Sequence, residues 1–298
     1  YIFLTNSESN SLESIITDFV SSNTFETEEN RKKEIQDLYM GRLSRFRNNH
    51  IPFLDEHIRL KNKNILEIGC GTGASSIALA EQGAYVTGID IVKESVKIAQ
   101  KRASIYKLPI EFIQLNATEI ESHLKHKHWD VIIFFASIEH MLPSERKSAL
   151  QQSYSMLKEG GFLCILGTPN RLWPVDIHTS YLPFYMWLQD ELALDYARFS
   201  KRKEFASLHK LNIEKGYEDL YHLGRGFSFH ELEIALGPIS KLRIIESLPI
   251  FLRKHNFFQK WSYQLSDEYK FKKLLSKYGP KGIHPGFYEC YIDLIIKK

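Results

Sequence analysis

The 298 residues predict an α/β fold: a doubly wound, mostly parallel sheet of seven strands, preceded by a helical cap and interrupted by two insertions. Three observations predict it. Short apolar runs alternate with helix-length amphipathic segments from residue 64 through residue 166. A glycine-rich turn separates the first such strand from the first such helix. Two further strand-like runs, 242–247 and 286–296, close the chain. Repeated strand–helix units place parallel strands side by side with helices on both faces.

The elements follow in order. Residues 1–30 are polar, with Leu12, Ile15, Ile16 and Phe19 spaced as a short helix, then a loose link. Residues 27–49 carry Ile35, Leu38, Tyr39 and Leu43 at helical spacing, and a third helix starts at Ile51-Pro52 with Phe53, Leu54 and Ile58. Residues 65–68, 85–89, 110–114, 131–135 and 162–166 read as strands. The segments 74–82, 93–106, 119–124 and 144–157 read as the helices between them. Residues 170–226 and 250–286 break the rhythm with proline and many aromatic residues, and 229–236 reads as a helix. The expected division is a cap over 1–49 and a catalytic domain over 50–298, with insertions at about 170–226 and 250–286.

With 43% hydrophobic and 25% charged residues, the chain has the composition of a soluble globular protein. No apolar run approaches the roughly 18–20 residues that span a bilayer. The N-terminus has no basic segment followed by an apolar core, so no signal peptide is expected. Cys70, Cys164 and Cys290 lie far apart in or beside apolar segments, without metal-ligand spacing, which suits a reducing, cytoplasmic setting. Net charge is +3, too small to imply a polyanion. Its distribution is uneven: from Lys241 onward, 12 Lys and Arg face 5 Asp and Glu, a surplus of 7. A solvated face, an acidic substrate or a membrane surface would each account for that tail.

The most informative segment is Ile65-Leu66-Glu67-Ile68-Gly69-Cys70-Gly71-Thr72-Gly73. A glycine turn between strand and helix lets the backbone approach a ligand closely. Gly88-Ile89-Asp90 ends the next strand with a carboxylate, which can accept from both hydroxyls of a ribose. An acidic residue in strand one, G-x-G-x-G, then an acidic residue ending strand two: this arrangement resembles class I S-adenosylmethionine (SAM)-dependent methyltransferases. The resemblance implies a Rossmann-like methyltransferase fold with SAM as cofactor. It implies that Glu67, Gly69, Cys70, Gly71 and Gly73 surround the methionine part, that Asp90 holds the ribose and that Ile91 lies against adenine. Asn116, beside Ala117, stands where the family often has Asp near the adenine amino group, and its carbonyl could accept that bond. The resemblance covers 50–170, 227–248 and 286–298. The competing NAD(P) fold has a different glycine spacing.

Further chemistry is expected where open α/β sheets present ligands, past the carboxyl ends of strands four and five. After strand four comes Ala136-Ser137-Ile138-Glu139-His140. It resembles the E-x-x-E-H segment of ubiquinone-biosynthesis-type O-methyltransferases and of small-RNA terminal methyltransferases, whose acids and histidine can ligate a divalent metal. Ala136 replaces the first acid, so no metal is expected here, and Glu139 and His140 are read as an acid–base pair or as helix-capping groups. After strand five comes Thr168-Pro169-Asn170, leading to His178, whose near-neutral unperturbed pKa suits removal of a hydroxyl proton. A structural loop histidine is the alternative. Catalytic expectations are thus His140, His178 and Glu139. Substrate-binding expectations are Asn170, Arg171, Trp173, Tyr181 and Arg225, in an aromatic insertion that forms a lid or a satellite core.

No N-P-P-Y or D-P-P-Y follows strand four, which argues against methylation of exocyclic or amide nitrogen. The reading that remains is O-methylation of a small-molecule, glycan or lipid-linked hydroxyl, with an acceptor that is acidic or lipid-linked and peripheral membrane contact left open. Nucleic acid is not the expected partner, because the basic residues are interspersed with aromatics and no RNA-binding module is visible. An RNA methyltransferase and a SAM-binding regulatory or scaffold subunit are the alternatives.

Overall fold

The computed structural model describes residues 1–21 and 27–298, apart from the side chains of 257–259. The chain begins with α1 (Asn6–Ser21), α2 (Glu28–Gln36), α3 (Arg42–Arg45) and α4 (Ile51–Ile58). The link expected after α1 includes residues 22–26, which lie outside the described residues. The single helix expected over 27–49 is interrupted by two π-helical turns, Asp37–Gly41 and Phe46–His50. Leu38, Leu43 and Phe46 are nevertheless buried along it, as are Phe53 and Leu54 on α4.

From Asn64 the predicted alternation is present: β1 (Asn64–Ile68), α5 (Ala74–Ala80), β2 (Tyr85–Asp90), α6 (Lys93–Tyr106), β3 (Glu111–Gln114), α7 (Ile120–Leu124), β4 (Trp129–Phe135), α8 (Pro143–Met156) and β5 (Leu157–Pro169). The first insertion contains α9 (Asp190–Tyr196), α10 (Lys203–Ala206) and α11 (Ile213–His222). Then follow α12 (Phe229–Leu236), β6 (Arg243–Ser247), α13 (Leu248–His255), α14 (Phe257–Leu265), α15 (Asp267–Tyr278) and β7 (Tyr291–Lys297). The closing strand is shorter than predicted. Residues 285–288 form a 3-10 turn instead, because Pro285 offers no N–H to a ladder and the His284 side chain accepts from the Gly286 N–H. β5 is longer, starting at Leu157 rather than at 162.

The seven strands lie in the order β3-β2-β1-β4-β5-β7-β6. The chain forms two compact units. The first comprises 1–135, 155–163 and 298, and contains the parallel pairs β1–β2, β1–β4 and β2–β3. Val131, Ile132, Ile133 and Phe134 are fully buried in succession, as a parallel strand covered on both faces requires. Each such side chain contributes roughly 1.5–3 kcal/mol of transfer free energy. The second unit comprises 136–154 and 164–297 and ends in the antiparallel pair β6–β7, with a bulge between Ile244 and Glu246. Its first insertion has its own small core around Tyr185, Met186, Ala193, Phe205 and Leu220. Of the aromatic residues of this insertion, Tyr185 is in that core, while Tyr181, Phe184 and Trp187 are exposed.

Candidate active site

In the first unit the chain leaves β1 through a turn in which Gly69, Gly71 and Gly73 all have positive φ. The Gly69 and Cys70 amides donate to the Ile89 carbonyl, which stitches the turn to the end of β2. At Gly71, φ is +52° and an added Cβ would meet nothing within 4 Å. The backbone is thus bare on the side where a ligand would approach, in a conformation that a side chain strains. Asp90, the last residue of β2, accepts from the Gly71 amide and the Val92 amide, each at 2.8 Å. Ile91 beside it is 62% exposed, a large apolar side chain available for a planar ring.

Glu67 lies wholly buried behind this turn and accepts from the hydroxyls of Ser75 and Ser76 on α5. Burial pushes its carboxyl up to about 7, against the two serine hydrogen bonds, and the neighbouring Asp90 charge adds to the rise. The Cys70 thiol is pushed far up by burial, then by Glu67 and Asp90, and so stays protonated. Asn116 caps the short turn begun by Ala117, its carbonyl accepting from both the amide and the hydroxyl of Thr118. Both lone pairs are then engaged, so the carbonyl is taken by Thr118 rather than by an adenine amino group, and the side-chain NH2 is left to donate to a ring nitrogen. The residues present fit a SAM molecule: an open glycine turn, a carboxylate at the end of β2 and an exposed apolar side chain beside it.

The second unit contains the other cluster. Ala136 follows β4 with φ +46°, a left-handed conformation that costs a non-glycine residue about 1–2 kcal/mol, and its amide donates to the Leu166 carbonyl. A 3-10 turn over Ile138–His140 comes next. Glu139 is fully buried; one carboxylate oxygen accepts from the Thr168 hydroxyl at 3.3 Å, while Oε1 accepts from no described residue. His140 Nδ1 lies 2.9 Å from the His222 carbonyl. A carbonyl only accepts, so Nδ1 carries the proton and Nε2 bears the lone pair of the neutral ring. That Nε2 is 4.0 Å from Glu139 Oε1.

The His178 ring centroid is 5.9 Å from that of His140, and its Nδ1 is 3.0 Å from the Thr179 hydroxyl. Burial lowers its pKa below the usual histidine value, outweighing the opposing pull of Glu139. One ligand-type atom from each of Glu139, His140 and His178 lies within 4.8 Å of the others. The three predicted catalytic residues are therefore together.

Three residues that no sequence pattern singles out hold them there. Arg146, fully buried, donates to the carbonyls of Glu139, Met141, Arg225 and Gly226 and pairs with Glu231 at 2.6 Å. Asp176 accepts from the amides of His178, Thr179 and Ser180 and so shapes the loop bearing His178. Gly224, at φ +115°, would place a Cβ 2.8 Å from the Thr179 hydroxyl and 3.4 Å from both the His140 and His178 rings. Only the run Gly224-Arg225-Gly226 within an aromatic insertion could have signalled it. Arg146 looks like a surface residue on a polar helix.

Four of the five predicted substrate-binding residues make structural contacts within the protein. Asn170 is buried, donating to the Phe287 and Glu289 carbonyls and accepting from the Leu172 amide. Arg225 is fully buried and donates to the Tyr185 and Leu188 carbonyls and to Asp190. Arg171 donates to the Met186 carbonyl, and Trp173 packs edge-on against Phe271. Tyr181 is 56% exposed.

Residues 65–161 match a family described as a methyltransferase domain. A protein of Geobacillus sp. (strain WCH70) that bears a methyltransferase name is 35% identical over 129 residues, 43% of this chain and 47% of that protein. A ubiquinone biosynthesis O-methyltransferase of Coxiella burnetii (strain RSA 331 / Henzerling II) is 30% identical over 156 residues, 52% of this chain and 64% of that relative. The chain thus spans less than two thirds of the length of either. Among solved structures, the PH0226 protein of Pyrococcus horikoshii OT3 is 27% identical, with a TM-score of 0.38 over 43% of this chain and 53% of that one. Glu67 and Asp90 flank the glycine turn and the family match spans all three, so residues 65–161 are a class I SAM-dependent methyltransferase domain, and SAM is its cofactor.

Proposed function

We propose that this chain transfers the SAM methyl group to a hydroxyl of a small-molecule, glycan or lipid-linked acceptor, with a histidine as general base. Bound SAM supplies an electrophilic methyl, so the protein has to orient the acceptor and remove its proton. The observation that carries the reading is the convergence of Glu139 and His140, directly after β4, with His178, in the loop after β5. His140 presents a lone pair at Nε2, fixed by the His222 carbonyl. His178 is kept neutral by burial and can accept a proton at neutral pH. Glu139, buried beside them, stabilises whichever ring becomes cationic.

Labelled SAM incubated with a metabolite extract and, separately, with an RNA pool tests the acceptor class. Label in the RNA alone, or in neither, would replace the proposal with a nucleic-acid enzyme or a SAM-binding scaffold. Once an acceptor is found, His140→Ala and His178→Ala test the base. Loss of a base lowers the rate roughly 100- to 10,000-fold, with SAM affinity intact, and full activity in both variants refutes it.

One observation favours a second reading. Glu139 Oε1 is buried with no donor among the described residues and faces a histidine lone pair at 4.0 Å, an arrangement that a divalent cation would satisfy. Glu139, His140 and His178 would hold it, and it would lower the pKa of a hydroxyl oxygen. Activity abolished by a chelator and restored by Mg²⁺ selects this reading over the metal-independent one.

A further inference from the structure

The second insertion folds into helices whose outer faces are left bare. α15 buries no residue completely, and its Leu274 and Tyr278, one turn apart, are 50% and 74% exposed. Phe271, one turn before Leu274, continues the same face. Its ring stacks on Trp187 at 6.5 Å, and Trp187, half exposed, packs against exposed Phe184. On α14 the exposed pair is Trp261 and Leu265, again one turn apart.

Charge follows the same surface. Residues 250–286 contain eight Lys and Arg against two acids. Arg253 and Lys272 are consumed by buried Glu289, and Lys254 by Glu246. Lys270 pairs with Asp267. Lys273 and Lys277 have no carboxylate partner among the described residues; their ammonium groups lie over the rings of Tyr269 and Tyr278. Bare leucine, tryptophan and tyrosine side chains interleaved with uncompensated lysines are the pattern of a helix lying in the headgroup region of a bilayer. No described helix is long and apolar enough to cross one.

We infer that α14, α15 and the adjoining Phe184–Trp187 turn dock this protein on an anionic lipid surface, with Leu265, Leu274 and the tryptophans entering the acyl boundary and Lys273 and Lys277 meeting phosphate groups. The aliphatic side chains distinguish this from a nucleic-acid surface, where lysines and stacking rings would serve without exposed leucines. Such docking does not depend on the identity of the methyl acceptor.

Sedimentation with vesicles tests it, comparing pure phosphatidylcholine with phosphatidylcholine containing about a quarter phosphatidylglycerol. The full chain is expected to bind the anionic vesicles at least about tenfold more strongly, with tryptophan emission shifted to the blue. Leu274→Ser with Tyr278→Ser, and separately Lys273→Glu with Lys277→Glu, should each lose about tenfold or more of that binding while melting as the parent does, since all four side chains are exposed. Equal binding to both vesicle types, no binding to either, or binding unchanged in both variants overturns the inference. So does tighter binding to a short single-stranded RNA that competes fully with the vesicles.

Discussion

Arg146 donates from Nη2 to the main-chain carbonyl of Glu139 at 2.9 Å, and from the same nitrogen to the carbonyl of Arg225. One guanidinium thus holds the turn that presents Glu139 and His140 against the segment that begins at Gly224. The Arg225 amide also donates to the Glu139 carbonyl at 2.9 Å, so a main-chain bond and the guanidinium together join the two segments where no strand ladder does.

Arg146→Met keeps an unbranched apolar stem and removes all five donors. The carbonyls of Met141, Arg225 and Gly226 lose this donor and Glu231 loses its cation, and stability in urea denaturation is expected to fall by about 3–5 kcal/mol. Calorimetry on the folded variant should return near-parent SAM affinity, since the glycine turn lies in the other unit. A loss under about 1 kcal/mol would show that the carbonyls find other donors.

Gly224→Ala is a smaller test of the same cluster. The backbone there is left-handed, and the new methyl would lie against Thr179 and both histidine rings. The strain is expected to cost about 1–3 kcal/mol, and displaced rings should lower methyl transfer at least about tenfold with SAM binding unchanged. Unaltered turnover in a folded variant would remove Gly224 from the site.

Gly71→Arg and Asp90→Ala address the cofactor. The first places a side chain in the open space at φ +52°, the second removes the acceptor for the Gly71 and Val92 amides. Both are expected to weaken SAM binding by about tenfold or more. Parent-like affinity for both in calorimetry would contradict the placement of SAM at this turn.

Glu67 sets a pH dependence. Its carboxyl is raised to about 7 by burial and by Asp90, whereas in the unfolded chain it titrates near about 4.3. Between those values the native state binds more protons than the unfolded state, so this residue's contribution is full below about pH 4 and is lost as pH rises through 7. The size is on the order of 4 kcal/mol at most. Glu67→Gln should flatten the ligand-free melting temperature between about pH 5 and pH 8 relative to the parent. Parallel curves for the two proteins would place the titration elsewhere.

What can be read from sequence is local. β1 to β4 are apolar runs bounded by turns, and the Glu67-to-Gly73 segment declares both a turn and its acid close to the end of β1. His140 and His178 are identifiable by their position after strands, but their meeting depends on Asp176 and Gly224, which shape a loop that periodicity does not describe. Asn170 and Arg225 resemble ligand residues because both are polar groups in an aromatic loop. Their partners are carbonyls from distant segments, Phe287 and Glu289 for one and Tyr185 and Leu188 for the other, and no local pattern announces those. Asn116 shows the same effect over two residues, its carbonyl taken by Thr118.

The π-helical turn Asp37–Gly41 ties two distant positions to each other. A π turn is an α-helix with one residue inserted, and it turns carbonyls away from their usual donors. Those of Leu38 and Tyr39 are met by the guanidinium of Arg102 on α6, which is itself fully buried. Deleting one residue from 37–41 would restore a regular helix and rotate everything after it by about 100°, carrying Leu43 and Phe46 off the buried face. It would also leave Arg102 a charge in the interior with no carbonyls to receive it. The inserted residue and the arginine are therefore expected to be gained and lost as a pair among relatives, so that a homologue one residue shorter before α3 should carry an apolar side chain in place of Arg102.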